Sequence, residues 1–401
     1  MKISPEIYSK DFHSIDINII DGHAKKISQT LKNSGYDTYL VGGCIRDILL
    51  GISPKDFDLV TDAEPNEIRK IFKNSKIIGR RFKIVHIYTD EKRYIEVTTF
   101  RADENKNSYA RKKGKKRIRT DNTYGEITQD AFRRDFTINS LYYDIETENL
   151  HDYVQGFKDI KENKIRSIKD PEKSFQQDPV RMLRAVKFES KLNLNLNSKD
   201  EAAIKRMSFH IKEASSYRLF DEVIKIMHCG HSQIAYSKLK EYKLFKYLFP
   251  NTHEAISTNP SYDDFIKQAL KNKDERIKKD MHVNPAFIYA VFLWPSFDLL
   301  YSQKKGQFER VFDHIISKQS ENIVIPKFFI STIYEIWRLQ EYFVDLRKNT
   351  SKSILNSIKY RAAYDFFLIR SYINEDLVQY VNKWEKIESM HSNGKHNTYE
   401  R

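Results

Sequence analysis

The stretch that decides the fold is Tyr39-Leu-Val-Gly-Gly-Cys-Ile-Arg-Asp-Ile-Leu-Leu-Gly51, followed three residues later by Lys55-Asp-Phe-Asp-Leu-Val60. Tyr39 to Val41 reads as a strand, Gly42-Gly43 as a turn with room for close backbone approach, and Cys44 to Leu50 as a helix closed by Gly51. Asp56 to Val60 reads as the next strand. Residues at i and i+2 of a strand point to the same side. Asp56 and Asp58 therefore share one face, with Phe57 and Leu59 on the core side. Two carboxylates on one face suit a pair of hard divalent cations, which stabilise the attacking and leaving oxygens of a displacement at phosphorus. The pair points to metal-dependent nucleotidyl transfer, although an isolated Asp-x-Asp is common in loops and caps.

Working outward, the chain alternates strand and helix up to about Asp152. Further strands are expected at Phe82 to Tyr88, Tyr94 to Phe100 and Leu141 to Ile145, and a helix at Pro65 to Phe72. Beyond Pro171 the alternation gives way to apolar residues at three- and four-residue spacing, as in Val180 to Phe188, Leu219 to Met227 and Ile234 to Leu248, the pattern of helices. The fold class is α+β, an α/β head followed by an all-helical region. Polar stretches with proline or asparagine at Pro250 to Asn259 and at Asn272 to Pro285 are the expected breaks among those helices. The last ten residues, from Ser392, are expected to fray.

The 401 residues suffice for several cores. Their 69 lysines and arginines against 55 aspartates and glutamates give a net charge of +14. That charge favours a polyanion, RNA or DNA first and an anionic membrane second. No apolar run is long enough to span a bilayer, and the N-terminus lacks a secretory pattern, so a cytoplasmic location is expected. Cys44 and Cys229 stand alone, which supports neither disulfide nor zinc site.

Four more clusters bear on function. Arg46 and Asp47 sit in the first turn after the glycine pair, where free amides favour a phosphate. Asp130-Ala-Phe-Arg-Arg-Asp-Phe-Thr-Ile-Asn139 brings together Arg133, Arg134, Asp135 and Asn139. Asp135 is placed to complete a three-carboxylate site, Arg134 to neutralise a triphosphate and Asn139 to bond a ribose; a surface ion-pair cluster is the plainer alternative. In Gln177-Asp-Pro-Val-Arg-Met-Leu-Arg184, Asp178 reads as a helix N-cap with Pro179 at the first helical position. Asp178, Arg181 and Arg184 share a face and offer an acceptor and donors to a base edge, and capping and base reading are compatible. Finally, Arg111, Lys112, Lys113, Lys115, Lys116, Arg117 and Arg119 crowd seven cations into nine residues. They are expected in a mobile loop that either contacts an RNA backbone or simply adds solvated charge.

In this order, these clusters resemble the class II nucleotidyltransferases, the family of bacterial poly(A) polymerases and tRNA CCA-adding enzymes. Val41-Gly-Gly-Cys-Ile-Arg-Asp47 with Asp56-Phe-Asp58 resembles the catalytic motif, Arg133-Arg-Asp-Phe-Thr-Ile-Asn139 the second, His151-Asp-Tyr-Val-Gln-Gly-Phe157 the third and Asp178-Pro-Val-Arg-Met-Leu-Arg184 the nucleotide-reading helix. Ile77-Ile-Gly-Arg-Arg-Phe82, Ser216-Tyr-Arg-Leu-Phe220, Leu244-Phe-Lys-Tyr-Leu248 and Tyr360-Arg-Ala-Ala-Tyr364 are similar to poly(A) polymerase segments. Gln177 departs from the glutamate usual before that aspartate.

The resemblance implies a nucleotidyltransferase head with a small mixed sheet, then helical neck, body and leg regions. The corresponding divisions are an extension at 1–35, a catalytic head at 36–152, a neck with nucleotide-reading and RNA-binding elements at 153–250 and an RNA-binding body and leg at 251–401. It implies template-independent addition of AMP from ATP to RNA 3′ ends, a reaction that promotes mRNA turnover, with CCA addition to tRNA as the alternative and non-catalytic RNA binding as a lower one. Two Mg²⁺ ions, or Mn²⁺, would be held by Asp56 and Asp58. Gly42, Gly43, Arg46, Asp47, Arg134, Asn139, Asp178, Arg181 and Arg184 would bind the nucleotide. The partners implied are RNA 3′ ends, ATP and RNA-decay or RNA-chaperone proteins, with no membrane.

Overall fold

The computed structural model describes residues 4–79, 82–89, 93–102, 109–112, 115–118, 123–345 and 354–396. The chain divides into two compact units, one of residues 1–174 with 194–200 and one of residues 175–193 with 201–401.

The first unit is built on an eight-stranded sheet. Its strands are β1 (Glu6–Tyr8), β2 (Thr38–Val41), β3 (Leu59–Thr61), β4 (Ser75–Ile78), β5 (Ile84–Tyr88), β6 (Tyr94–Thr99), then β9 (Leu141–Asp144) and β10 (Asn149–Asp152), with a separate hairpin of β7 (Tyr109–Lys112) and β8 (Lys115–Ile118) between them. The sheet order is β1-β10-β9-β2-β3-β6-β5-β4. Only β3 and β6 pair in parallel; the other neighbours are antiparallel. The sheet is therefore mixed, as expected for an α/β head. Because β1 pairs with β10, residues 6–8 form its edge, so the N-terminal stretch belongs to the head. Val41, Val60, Phe100, Ala131 and Tyr142 pack into a core cluster under the middle strands.

Local chemistry explains the tight corners. Gly79 has φ +86°, and a Cβ there would lie 2.1 Å from the Phe82 carbonyl oxygen, so the β4–β5 connection requires glycine. Arg80 and Arg81, part of the segment compared above, lie outside the described residues. At the other end of the sheet, the Asp152 carboxylate accepts from the amides of Val154, Gly156 and Phe157 at 2.9, 3.0 and 2.9 Å. It thereby fixes the entry to the helix Gly156–Lys161. That helix holds the turn 137–139 in place, Thr137 Oγ1 donating to Asp159 Oδ2 at 2.6 Å.

The second unit is helical. Its centre is Pro285–Gln303, apolar on most of its circumference, with Trp294, Phe297 and Trp337 of the helix Lys327–Val344 in edge and tilted ring contacts. A further cluster joins Phe343, Tyr364, Phe367, Val381 and Trp384. Among the described residues no helix is long and apolar enough to cross a membrane.

Two expectations need correcting and one is narrowed. Pro250 to Asn259 is a helix (Pro250–Thr258) rather than a break: Pro250 takes the first helical position, where its missing N–H costs nothing, and Thr252 Oγ1 anchors the segment by donating to the Phe292 carbonyl at 2.7 Å. The break expected within Asn272 to Pro285 is present but shorter, at 279–284, between the helix Ser261–Lys278 and the helix Pro285–Gln303, which the Asn284 side chain caps. The basic segment expected as a loop is the β7–β8 hairpin, with Arg111 opposite Lys116 and Lys112 opposite Lys115; Lys113 and Arg119 lie outside the described residues. At the C-terminal end, helical backbone continues to His396.

Candidate active site

Strand register gathers the site. β2 and β3 are antiparallel with Leu40 opposite Leu59, and the Val41 amide donates to the Asp58 carbonyl at 3.1 Å. Asp58 therefore sits beside the end of β2, one residue before the glycine turn. Both aspartates precede β3, which starts at Leu59 rather than at Asp56 as expected, and Phe57 is only half-buried. On the other side β3 runs parallel to β6 with Leu59 opposite Val97. That places Glu96 level with Asp58. Burial, then Glu96 and Asp56, raise the Asp58 carboxyl to about 6, with Arg134 opposing. Glu96 is in turn 3.3 Å from His86 Nε2, whose ring stacks on Tyr94 at 3.9 Å.

Facing these carboxylates is a turn made by Gly42, at φ +83°, and Gly43, which opens the helix Gly43–Leu49. The position of a Cβ on Gly42 would be 3.8 Å from Arg134 Nη1, and one on Gly43 would be 3.5 Å from Arg46 Nη2. The Arg134 guanidinium and the buried Arg46 thus lie against bare backbone, positive charge placed beside the turn where phosphate oxygens would be attracted. Each is held from behind. Arg46, 5% exposed, donates from Nε and Nη2 to Asp47 Oδ1 at 2.9 and 2.6 Å and from Nη1 to Asn139 Oδ1 at 2.6 Å. Asn139 Nδ2 donates to Asp135 Oδ1 at 3.2 Å, and the same oxygen accepts from the Phe136 amide at 2.8 Å. Asp47, Arg46, Asn139 and Asp135 form one buried chain.

Arg134 is anchored by Asp130, which is 1% exposed and sits one turn earlier on the helix Ile127–Arg133. Asp130 Oδ2 accepts from Arg134 Nη2 at 2.7 Å and from Tyr142 Oη at 2.8 Å, while Oδ1 accepts from Arg133 Nε at 3.0 Å. Burial alone would raise the Asp130 carboxyl, but the guanidiniums of Arg134 and Arg133 hold it down to about 2. Burial likewise opposes the charge on Arg134, and Asp130 more than compensates, raising its pKa. Cys44, between these groups and the core, is a buried thiol pushed up to about 12 by that burial, and it plays no ionic part.

The fit to divalent metal is a matter of donor chemistry. Burial, then Glu96 and Asp56, make ionised Asp58 costly, and a cation beside it would relieve that cost. Among the described residues no three His, Cys, Asp or Glu side chains converge into a metal-holding group. Asp135, expected to complete a three-carboxylate site, is not grouped with Asp56 and Asp58; its Oδ1 is taken by the Phe136 amide and by Asn139 Nδ2, an orientation that the local backbone bond favours.

In the helical unit, the helix Val180–Leu192 has Pro179 rather than Asp178 at its N-cap, and Asp178 Oδ1, one residue earlier, accepts from the Val180 amide at 3.3 Å. Its two carboxylate oxygens also take both ends of one guanidinium: Arg218 Nη1 to Oδ1 at 3.0 Å and Nη2 to Oδ2 at 2.8 Å. Arg184 lies over the Phe188 ring at 5.8 Å, and Arg181 is on the same helix.

Residues 38–166 match the pattern described as the poly A polymerase head domain, 193–256 that of the probable RNA and SrmB-binding site of polymerase A, and 302–401 that of the polymerase A arginine-rich C-terminus. Poly(A) polymerase I of Salmonella typhimurium is 35% identical over 401 residues, spanning 96% of this chain and 86% of that protein. The chain belongs to the poly(A) polymerase family. A CCA-adding enzyme of Lactobacillus helveticus is 33% identical over 270 residues, 64% of this chain and 66% of its own. The fold is also that of the Thermotoga maritima CCA-adding enzyme solved with tRNA, at TM-score 0.64 and 19% identity over 95% of this chain and 87% of that one.

As a member of the poly(A) polymerase family the protein is a nucleotidyltransferase. Of the residues singled out in the sequence, Asp56, Asp58, Gly42, Gly43, Arg46, Arg134, Asp135 and Asn139 lie in the first unit, and Asp178, Arg181 and Arg184 in the second. Sequence reasoning missed Glu96, Asp130 and Arg218. Asp130 was legible as an i to i+4 partner of Arg134; Glu96 and Arg218 depend on long-range pairings with no local signature.

Proposed function

We propose that this chain transfers adenylates from ATP to RNA 3′ ends without a template, as a poly(A) polymerase. The observation that carries this reading is the extent of similarity: the match to poly(A) polymerase I runs through 96% of the chain, whereas the match to the L. helveticus CCA-adding enzyme spans 64%.

Asp56 and Asp58 would hold divalent metal, which when bound polarises phosphate oxygens and lowers the pKa of an attacking hydroxyl. The rest follows from the chain's own groups. Arg134 and Arg46, backed by the glycine turn, bind triphosphate oxygens, and their buried partners Asp130 and Asp47 keep each guanidinium oriented before substrate arrives. Asn139, fixed between Arg46 and Asp135, presents a polar group for the ribose. Asp135 acts through Asn139, and Glu96 adds negative charge beside Asp58. In the helical unit, Asp178, Arg181 and Arg184 are the residues proposed for base reading, with Arg218 holding Asp178 in one orientation. The basic β7–β8 segment contributes positive charge toward RNA.

Asp58→Ala tests the scheme: ATP incorporation into RNA should disappear while RNA binding stays close to wild type. Retained incorporation would remove Asp58 from the chemistry.

A further inference from the structure

The stretch His151-Asp-Tyr-Val-Gln-Gly-Phe-Lys-Asp159 holds no residue with a part in the transfer scheme, yet two of its residues, Gly156 and Asp159, meet the turn Thr137–Asn139. The approach is prepared locally. Asp152 grips the amides of Val154, Gly156 and Phe157, and Gln155 turns the chain at φ +65°, so the helix Gly156–Lys161 starts in a fixed direction.

Helix and turn fit closely at two points. A Cβ on Gly156 would lie 2.3 Å from the Thr137 carbonyl oxygen, an approach that only glycine permits. Three residues on, Asp159, 5% exposed, accepts at Oδ2 from Thr137 Oγ1 at 2.6 Å and from Arg166 Nε at 2.9 Å. Arg166 closes the arrangement: its Nη2 donates to the Val154 carbonyl at 3.2 Å, and its own carbonyl accepts from the Thr137 amide at 2.9 Å. Thr137 is thus bonded at its amide and its hydroxyl, with its carbonyl against Gly156. A hydroxyl bonded to a carboxylate that is itself paired to a guanidinium is firmly held.

Asn139 stands two residues along the same turn. Its backbone amide donates to the Phe136 carbonyl at 3.0 Å, and its side chain spans Arg46 Nη1 at 2.6 Å and Asp135 Oδ1 at 3.2 Å. The side-chain bonds set its rotamer, and the turn sets where the residue stands. A group that bonds a substrate hydroxyl rejects the analogue lacking it, provided that it is held to within about 0.5 Å of the productive position.

We propose that Asp159 and Thr137 are positioning residues for Asn139, and that this brace sets the choice of a ribonucleotide over its deoxy analogues. The inference rests on the assignment of Asn139 to the ribose.

The test is single-nucleotide addition to a labelled oligoadenylate by the whole chain, with kcat/KM taken for ATP, 2′-deoxy-ATP and 3′-deoxy-ATP. The ratio of ATP to each analogue is the readout, because a smaller folded fraction lowers both rates alike and leaves the ratio unchanged. Asn139→Ala should lower the ratio about tenfold against the analogue that lacks the hydroxyl it bonds. Asp159→Ala and Thr137→Val should lower it about threefold or more against the same analogue, and Thr137→Ser, which keeps the hydroxyl, should discriminate as wild type. Thr137→Val leaves the pair of Asp159 and Arg166 in place, so it decides the matter where Asp159→Ala does not fold. Wild-type ratios in Thr137→Val, beside lost discrimination in Asn139→Ala, would overturn the brace and leave the proposed function standing. A wild-type ratio in Asn139→Ala would overturn the brace by removing Asn139 from the ribose. A protein that adds CMP but no AMP would overturn the proposed function alone, since CTP and its deoxy analogues then supply the same ratio.

Discussion

Asp58→Asn should stabilise the metal-free protein while destroying its activity. In the folded head, burial and the neighbouring carboxylates Glu96 and Asp56 raise Asp58 from 3.8 to about 6. Each unit is worth about 1.36 kcal/mol, so an ionised Asp58 costs the fold up to about 3 kcal/mol, and its partial contact with water reduces this to about 1–2 kcal/mol. The sign follows from linkage. A carboxyl with a raised folded pKa binds its proton more tightly when folded, so wild-type stability falls as pH rises from about 4 to about 6. Asparagine removes that loss. Below about pH 4 the two proteins should therefore be equally stable; above about pH 6 the variant should melt higher, by roughly 2–8 °C for a head of this size. The assay is thermal unfolding followed across pH in chelator, then repeated with Mg²⁺. Magnesium should raise the wild-type transition and leave the variant's almost unmoved. A variant less stable than wild type at pH 8 in chelator, or a difference independent of pH, would refute the claim that Asp58 carries uncompensated charge.

Asp130→Asn should act oppositely, costing about 3–5 kcal/mol because it leaves Arg134 buried without its anion; since Asp130 is depressed to about 2, its stabilising contribution in wild type is full above about pH 4 and lost as pH falls toward 2, which acid unfolding of the two proteins would reveal. Glu96→Gln should lower the Asp58 pKa, measurable by carboxyl NMR, and reduce ATP incorporation by about 10–100-fold as an outer partner of a metal ligand does. Arg218→Ala frees the Asp178 carboxylate; the KM for ATP should rise about tenfold and CTP should be accepted more readily, in steady-state assays with each nucleotide alone.

The parts legible in the sequence are those encoded by neighbours along the chain. Val41 through Asp47 show strand, turn and helix locally, and the structure places Thr38–Val41 and Gly43–Leu49 as those elements. Asp130 and Arg134 are one helical turn apart, so their pairing was readable, but its burial was not: the same spacing describes a surface ion pair. Glu96 was hidden because only the parallel register of β3 and β6 brings it level with Asp58. Arg218 and Asp178 are separated by forty residues and meet through helix packing. Pro250 misled because proline both breaks helices and begins them, and only the anchoring of Thr252 to Phe292 decides which. The basic segment misled because its charge masks a pairing register that lies in the backbone.

The most direct test of the central claim offers the purified protein and Mg²⁺ two labelled RNAs, an unstructured oligoadenylate and a tRNA lacking its 3′ CCA, each with ATP alone, CTP alone or both. Long ladders on the oligoadenylate with ATP alone are the predicted result. Extension of the tRNA only, stopping after C, C and A, would contradict it and make the protein a CCA-adding enzyme.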